Sequence, residues 1–130
     1  MMPSIDERKK ILVVDDDALH LKTVCAILQN EYKIYVARSG KEALEHLCSG
    51  FIPDLVLLDI LMPNMDGWEV YRRLRAISSL QNVPVAFFTS LTEKDKIEHA
   101  HSIGVTGYIT KPFKKEELLE MMKSMLNRVE

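Results

Sequence analysis

The chain has 130 residues, of which 47% are hydrophobic, and this length fits one compact domain without room for a second. Its formal charge of −2, from 17 basic and 19 acidic residues, lacks the positive bias of a nucleic-acid-binding domain. No apolar run approaches the roughly 20 residues of a membrane span, and the amino terminus lacks a secretory signal, so we expect a soluble, cytoplasmic protein without a membrane partner.

Five short runs of aliphatic, β-branched and aromatic residues have the length and composition of strands. In chain order, the predicted strands are residues 11–14, 33–37, 55–58, 83–88 and 105–110. A helical pattern follows each of them. Near-continuous apolar strands that alternate strictly with helices are typical of a parallel sheet covered by helices on both faces, so the predicted fold class is α/β.

Capping signals mark the starts of the first three predicted helices. Asp17 stands before the first, Ser39 and Glu42 have the capping-box spacing at the second, and Asp66 and Glu69 repeat it at the third. The first helix is expected over residues 18–29 and the fourth over 92–104. The fifth has a single apolar stripe, formed by Leu118, Met122, Met125 and Val129.

Acidic side chains follow two of the apolar strands. Asp15, Asp16 and Asp17 come directly after the first strand, and Asp59 comes directly after the third. The carboxyl ends of parallel strands share one edge of the sheet, where ligands bind in this fold class. Carboxylates about 4 Å apart repel by roughly 4 kcal/mol at an effective dielectric near 20, which favours a shared divalent cation. Oxygen ligands predict magnesium or manganese rather than zinc, although Asp17 can be explained by helix capping alone.

The ends of the fourth and fifth strands bring a hydroxyl and an ammonium to the same edge. The run "VAFFTS" ends in Thr89 and Ser90, and "GYITKPF" places Lys111 before Pro112. Together with a bound metal, this set suits phosphoryl transfer to a carboxylate. Asp59 is the expected nucleophile, Lys111 adds positive charge at a phosphoryl oxygen, and Thr89 donates a hydrogen bond.

Four motifs carry a resemblance to a known family. "ILVVDDD", "LVLLDILMPNMDG", "PVAFFTS" and "GYITKPF", in this order and spacing, resemble the receiver domain of two-component response regulators, of which the chemotaxis receiver is the smallest type. The resemblance covers residues 10–128. It implies a flavodoxin-like, doubly wound sheet of five parallel strands in the order 2-1-3-4-5 with five helices, so that residues 1–130 form a single receiver domain.

The resemblance also implies a role for each residue at the carboxyl ends of the strands. Asp59 aligns with the phosphoacceptor and Asp16 with the direct magnesium ligand, while Asp15 aligns with an acidic partner that acts on the metal through water. Leu61 aligns with the residue whose backbone carbonyl binds the metal. Lys111 aligns with the lysine that pairs with the phosphoryl group, and its bond to Pro112 with one that is cis in this family.

The implied switch consists of a hydroxyl and an aromatic ring. Thr89 aligns with the hydroxyl that moves toward the phosphoryl group, and Tyr108 with the aromatic side chain that then turns inward. The added charge is expected to change a surface built from helix four, strand five and helix five. Leu61 and Leu91 occupy variable positions near the site, and their bulk predicts slow hydrolysis of the phosphorylated form.

The resemblance implies signalling rather than steady enzymatic turnover. The expected phosphoryl donor is a sensor histidine kinase or a histidine phosphotransfer protein, and the expected receiver of the signal is an output protein or domain. Dimers through the face from helix four to helix five are common in such receivers. The only catalysis expected is self-phosphorylation and slow autodephosphorylation. The sequence does not identify the kinase, the output or the oligomeric state, nor whether the chain is part of a larger regulator.

Two other functions use related chemistry or the same fold. Phosphatases of the haloacid dehalogenase type also have an aspartate nucleophile with magnesium, but they need a general acid two residues later, where this chain has Leu61. A flavodoxin-like cofactor carrier would need a loop rich in Gly, Ser or Thr after the first strand. Asp15 to Asp17 would repel a phosphate there.

The four histidines are not expected to take part in the site. They are His20, His46, His99 and His101. All lie on predicted helices rather than at a strand end, so we interpret each as packed or solvent-facing.

Overall fold

The computed structural model describes residues 7–127, and within that range five β-strands alternate with five α-helices. The strands are β1 Lys10–Val14, β2 Lys33–Ala37, β3 Leu55–Leu58, β4 Val85–Thr89 and β5 Gly107–Thr110. The helices are α1 Ala18–Leu28, α2 Gly40–Cys48, α3 Gly67–Arg75, α4 Lys94–Ser102 and α5 Lys115–Leu126. Among residues 7–127, no helix is both long and apolar enough to cross a membrane.

The strands form one parallel sheet in the order β2-β1-β3-β4-β5. The α/β class and the doubly wound strand order expected from the sequence are therefore confirmed. The register places Val14 of β1 beside Leu58 of β3, and Leu58 beside Phe87 of β4. Thr89, at the end of β4, lies beside Thr110 of β5. The carboxyl ends of four strands thus meet at one edge.

The sheet is buried on both faces because successive side chains of each strand point to opposite sides. On one face, Leu12 and Val14 belong to an apolar cluster that includes side chains of α2, α3 and α4. On the other face, Ile11 and Val13 pack in a second cluster with side chains of α1 and α5. This arrangement explains why the strands read as continuous apolar runs.

The predicted caps are confirmed at three helices. Asp17 accepts hydrogen bonds from the backbone N–H groups of Leu19 and His20, at 2.8 and 3.3 Å. Ser39 caps α2 by accepting from the N–H of Glu42 at 3.0 Å. At α3, the N–H of Glu69 donates to the Asp66 side chain, also at 3.0 Å.

Two strands begin later than their apolar runs predicted. β4 starts at Val85 because Pro84 has no N–H to donate to the ladder. β5 starts at Gly107 because Val105 donates its N–H to the carbonyl of Ala100 at the end of α4. A short 3-10 turn at Ser78–Leu80, between α3 and β4, was not predicted.

The predicted helix limits differ from the structure by one or two residues. α1 ends at Leu28, one residue before the expected end, and α4 spans Lys94–Ser102 inside the predicted 92–104. Leu118, Met122 and Met125 form the buried stripe of α5, as predicted. Val129, the last residue of that predicted stripe, lies outside the described residues.

Candidate functional site

The predicted acidic cluster forms where β1 and β3 end side by side. The N–H of Asp59 donates to the carbonyl of Val14 at 2.9 Å, which extends the pairing of these strands to the acidic residues. Asp15, Asp16 and Asp59 each offer one carboxylate oxygen, and these oxygens all lie within 4.8 Å of one another. The structure therefore brings together the three acids that the sequence placed at this edge.

Backbone hydrogen bonds hold two of these carboxylates in position. Asp15 is fully buried, and its Oδ1 accepts from the N–H of Asp17 at 2.9 Å. Asp59 is 5% exposed, and its Oδ1 accepts from the N–H of Leu61 at 3.2 Å. Asp16 is the more exposed member of the cluster. Asp15 and Asp59 are thus held in place, and Asp16 forms the solvent-facing side of the cluster.

Lys111 reaches the cluster from the end of β5. Its Nζ donates to Oδ2 of Asp15 at 2.8 Å and to Oδ2 of Asp59 at 3.3 Å. The ammonium also lies 4.5 Å from the centroid of the Phe88 ring, and the side chain is only 12% exposed. The peptide bond between Lys111 and Pro112 is cis, as the resemblance implied.

Electrostatics disfavour a charged Asp59 in the absence of an added cation. Burial raises the pKa of Asp59 above its ordinary value, and the Asp15 carboxylate raises that pKa further. Lys111 and the N–H of Leu61 act in the opposite direction by stabilising the charged form, but the net direction is upward. Burial therefore outweighs the stabilisation that Lys111 and this N–H give to the charged form.

The donor set fits a hard divalent cation. Three carboxylate oxygens converge on the wall of a cavity of about 570 Å³, which Leu61, Ser90 and Lys111 also line. Oxygen ligands with room for water are the environment that Mg²⁺ and Mn²⁺ prefer, whereas Zn²⁺ prefers nitrogen and sulfur. A cation here would also remove the repulsion among the acids.

The two predicted switch residues contact the same loop residue. Thr89 is fully buried, and its Oγ1 accepts from the N–H of Leu91 at 3.4 Å. The hydroxyl of Tyr108 donates to the carbonyl of Leu91 at 2.9 Å. The half-buried Tyr108 ring packs edge-on against Phe87, with centroids 6.1 Å apart. Leu91 therefore joins the two side chains through its backbone.

His20 lies on a helix and is partly solvent-facing, as expected, but the structure also places its ring against the acidic cluster. Its Nδ1 lies 3.0 Å from Nζ of Lys111 and 3.2 Å from Oδ2 of Asp15, and the ring lines the cavity. His20 is missed when only strand ends are considered, because it belongs to the first turn of α1. The signal that could have found it is its place three residues after the cap Asp17, where the helix still borders the edge.

Comparisons of this chain with known proteins agree on one family. The response regulator receiver domain family matches residues 11–123. The response regulator MprA of Mycolicibacterium vanbaalenii is 38% identical over 120 residues, which are 92% of this chain and 51% of MprA. A probable transcriptional regulator, ycf29 of Porphyra purpurea, is 33% identical, with 91% and 56% covered. The chain thus spans about half the length of the curated relatives it matches.

Solved structures of receivers have the same fold over most of this chain. The chemotaxis response regulator CheY4 of Vibrio cholerae has a TM-score of 0.84 and 31% identity, with 92% of this chain and 99% of that chain covered. The receiver domain of the sensor histidine kinase PA1611 from Pseudomonas aeruginosa, solved with a magnesium ion in its active-site cleft, has a TM-score of 0.83 and 25% identity, with 92% and 98% covered. The chain therefore belongs to the response regulator receiver domain family of two-component signalling.

Proposed function

We propose that this receiver accepts a phosphoryl group on Asp59 in a magnesium-dependent reaction. The donor is the phosphohistidine of a sensor histidine kinase or of a histidine phosphotransfer protein. One observation carries the proposal: a buried aspartate at a strand end faces two further carboxylates and an ammonium across a cavity. This is the environment that an anionic phosphoryl group needs once a cation joins the acids.

The reaction forms an acyl phosphate. A carboxylate oxygen of Asp59 attacks phosphorus, the new O–P bond forms, and the P–N bond to the donor imidazole breaks. The electron pair of that bond stays on the imidazole nitrogen, and the ring leaves as neutral imidazole because its other nitrogen carries a proton. Because Asp59 is fixed through the N–H of Leu61, little reorganisation is required before attack.

Four residues are proposed to hold the metal. Asp16 and Asp59 supply carboxylate oxygens, Leu61 supplies its backbone carbonyl, and Asp15 acts through water. Bound Mg²⁺, or Mn²⁺ in its place, neutralises charge on the phosphoryl oxygens. The magnesium ion in the cleft of the PA1611 receiver supports this assignment for a relative of the same fold.

Lys111 and Thr89 are proposed to complete the phosphoryl site. Lys111 already donates to Asp59 at 3.3 Å, so a short movement of its flexible stem brings the ammonium to a phosphoryl oxygen. Thr89 stands at the end of β4, and Asp59 directly follows the neighbouring strand β3. Its hydroxyl donates to another phosphoryl oxygen after leaving Leu91.

The signal leaves through the surface of α4, β5 and α5. When Thr89 moves toward the phosphoryl group, it gives up the N–H of Leu91, and the same residue holds the hydroxyl of Tyr108. Tyr108 then turns inward, and the altered face binds an output protein, an output domain or a second receiver. The domain itself contacts no nucleic acid, although the relative ycf29 is named as a probable transcriptional regulator.

The setting of the proposed reaction is the cytoplasm, where a kinase and its output meet. Residues 1–130 act as one receiver domain and as a phosphoacceptor rather than a turnover enzyme. Leu61, which is 50% exposed and lines the cavity, shields the acyl phosphate from water. It also occupies the position where a phosphatase of the haloacid dehalogenase type would need its general acid, so that function is not favoured.

Intact-protein mass spectrometry tests the proposal. The chain is incubated with acetyl phosphate, with magnesium or with EDTA, as wild type and as Asp59→Asn. The expected result is a gain of one phosphoryl group in the wild type with magnesium alone. A gain in Asp59→Asn would assign the phosphoryl group to another residue, and no gain in the wild type would refute phosphoacceptor function.

A further inference from the structure

His20 makes a contact in the acidic cavity that the phosphoryl-transfer set does not use. Its Nδ1 is 3.0 Å from Nζ of Lys111, whereas its Nε2 is 3.7 Å from Oδ2 of Asp17. The side chain is 44% exposed, so one edge of the ring faces solvent while the other edge borders the buried acids.

Nδ1 of His20 has two neighbours, Nζ of Lys111 at 3.0 Å and Oδ2 of Asp15 at 3.2 Å. An ammonium group has three N–H donors and no acceptor, so the contact with Lys111 is a hydrogen bond in the tautomer whose Nδ1 accepts and whose proton is on Nε2. Nε2–H then points toward the Asp17 carboxylate. The three donors of Lys111 meet three acceptors: Asp15 at 2.8 Å, His20 at 3.0 Å and Asp59 at 3.3 Å.

A bound cation would weaken the attraction of Lys111 to two of these acceptors but not to the third. Asp15 and Asp59 belong to the carboxylate cluster, so a cation bound there would offset the negative charge that attracts the lysine. His20 carries no negative charge and is not one of the three carboxylates of that cluster. Its hold on Lys111 therefore does not compete directly with the cation.

We propose that His20 is a positioning residue that keeps the Lys111 ammonium directed into the site when a cation occupies the acids. This inference rests on the proposed phosphoryl transfer to Asp59. Lysine has a flexible four-carbon stem with high rotamer entropy, and a cation nearby repels its charge. Without His20, the ammonium spends more time away from the phosphoryl oxygen that it is meant to bind.

Beryllium fluoride with magnesium is the probe, because trifluoroberyllate on an aspartate has the shape and charge of a phosphoryl group. Its affinity is measured by titration, and ¹⁹F NMR reports the fluoride that faces Lys111. The full chain is compared as wild type, His20→Leu and His20→Asn. Leucine removes the acceptor in a good helix former, whereas the asparagine Oδ1 replaces Nδ1 as an acceptor.

The matched control is His46→Leu, an exposed helix histidine whose Nε2 lies 3.8 Å from Glu42 on α2. We expect His20→Leu to weaken trifluoroberyllate binding about tenfold, the order of one hydrogen bond to a charged group, and to shift the ¹⁹F signal near Lys111. His20→Asn restores affinity to within about threefold of the wild type on the same scale. The control binds as the wild type does, and magnesium affinity alone changes little in every variant.

Two results would overturn the role of His20 while leaving the proposed function intact. One is wild-type affinity and an unshifted ¹⁹F signal in His20→Leu. The other is equal weakening in His20→Leu and His20→Asn, which would mean that the acceptor is irrelevant. Failure of the wild type itself to bind the probe would instead refute phosphoacceptor chemistry at Asp59, and with it this inference. Thermal unfolding of each variant confirms that the fold is retained.

Discussion

Replacing the proposed phosphoacceptor with its neutral isostere, Asp59→Asn, is expected to stabilise the fold when no metal is present. Asp59 has two carboxylate neighbours within 4.8 Å. At an effective dielectric near 20, a carboxylate 4.8 Å away repels it by about 3.5 kcal/mol. Lys111, at 3.3 Å, attracts it by about 5 kcal/mol on the same scale. Burial nevertheless outweighs this attraction and makes the charged form unfavourable, so the pKa of Asp59 is raised.

The expected gain in free energy of unfolding is about 1 to 2 kcal/mol, because the asparagine carries no charge that has to be buried. Loss of the Asp59 charge does not leave Lys111 unpaired, since Asp15 still accepts from it at 2.8 Å. The asparagine Oδ1 can also keep the hydrogen bond from the N–H of Leu61. The substitution therefore removes a buried charge without creating an unsatisfied buried group.

The assay is thermal or urea unfolding of the wild type and Asp59→Asn in EDTA, repeated in magnesium. A gain of 1 kcal/mol corresponds to a rise in Tm of roughly 4 °C for a domain of this size. Magnesium is expected to reduce the difference in Tm between the two proteins, because it stabilises the wild type more than a variant that has lost a metal ligand. A variant that is less stable than the wild type in EDTA would refute the charge argument.

The same comparison has a defined pH dependence. The pKa of Asp59 is raised above its ordinary value of 3.8, so the folded state binds the Asp59 proton more tightly than the unfolded state does. The wild type therefore loses stability, relative to Asp59→Asn, as pH rises from the ordinary value through the raised one. Below both values the two proteins should be nearly equal in stability. A difference that grows toward acid pH would contradict the direction of the shift.

Two further substitutions test the packing of the site and its access to water. Gly67→Ala would place a Cβ 2.5 Å from the carbonyl oxygen of Asp59 and 2.7 Å from Cα of Ile60. We therefore expect the free energy of unfolding, measured in urea, to fall by about 1 to 3 kcal/mol, as in other overpacked sites. Unchanged stability would mean that this turn can move away from the added methyl group. Leu61→Asn removes an exposed apolar side chain from the cavity wall. It should shorten the lifetime of the phosphorylated form, measured by timed mass spectrometry, with little change in the stability of the fold. An unchanged lifetime would mean that Leu61 does not shield the acyl phosphate.

The sequence predicted the sheet and its acidic edge because both depend on patterns of short range. Apolar runs identify buried strands, and the rule that parallel strands end at one edge brings Asp15 and Asp59 together without knowledge of any contact. The strand limits were less accurate, since Pro84 is apolar but has no N–H to donate, and Val105 is apolar but donates its N–H to the carbonyl of Ala100. Apolar character alone does not distinguish a residue that pairs in a sheet from one that closes a helix.

His20 was missed for a different physical reason. The rule that ligands bind at strand ends covers only residues that directly follow a strand. A helix that starts at the same edge of the sheet also directs side chains of its first turn toward that edge. Asp17 fixes that start by accepting from the N–H groups of Leu19 and His20. The cap was predicted correctly, so the missing step was to ask which side chain of the first turn the cap directs toward Lys111.

The link between Thr89 and Tyr108 could not be read from residue types at all, because it runs through the backbone of Leu91. The N–H of Leu91 donates to Thr89, and its carbonyl accepts from Tyr108. In the proposed switch, a Thr89 hydroxyl drawn to a phosphoryl oxygen leaves that N–H without its partner. The peptide must then shift to find another acceptor, which disturbs the carbonyl that holds Tyr108. The identity of the Leu91 side chain is therefore secondary to the coupling, and a proline at this position, which lacks the N–H, should break it.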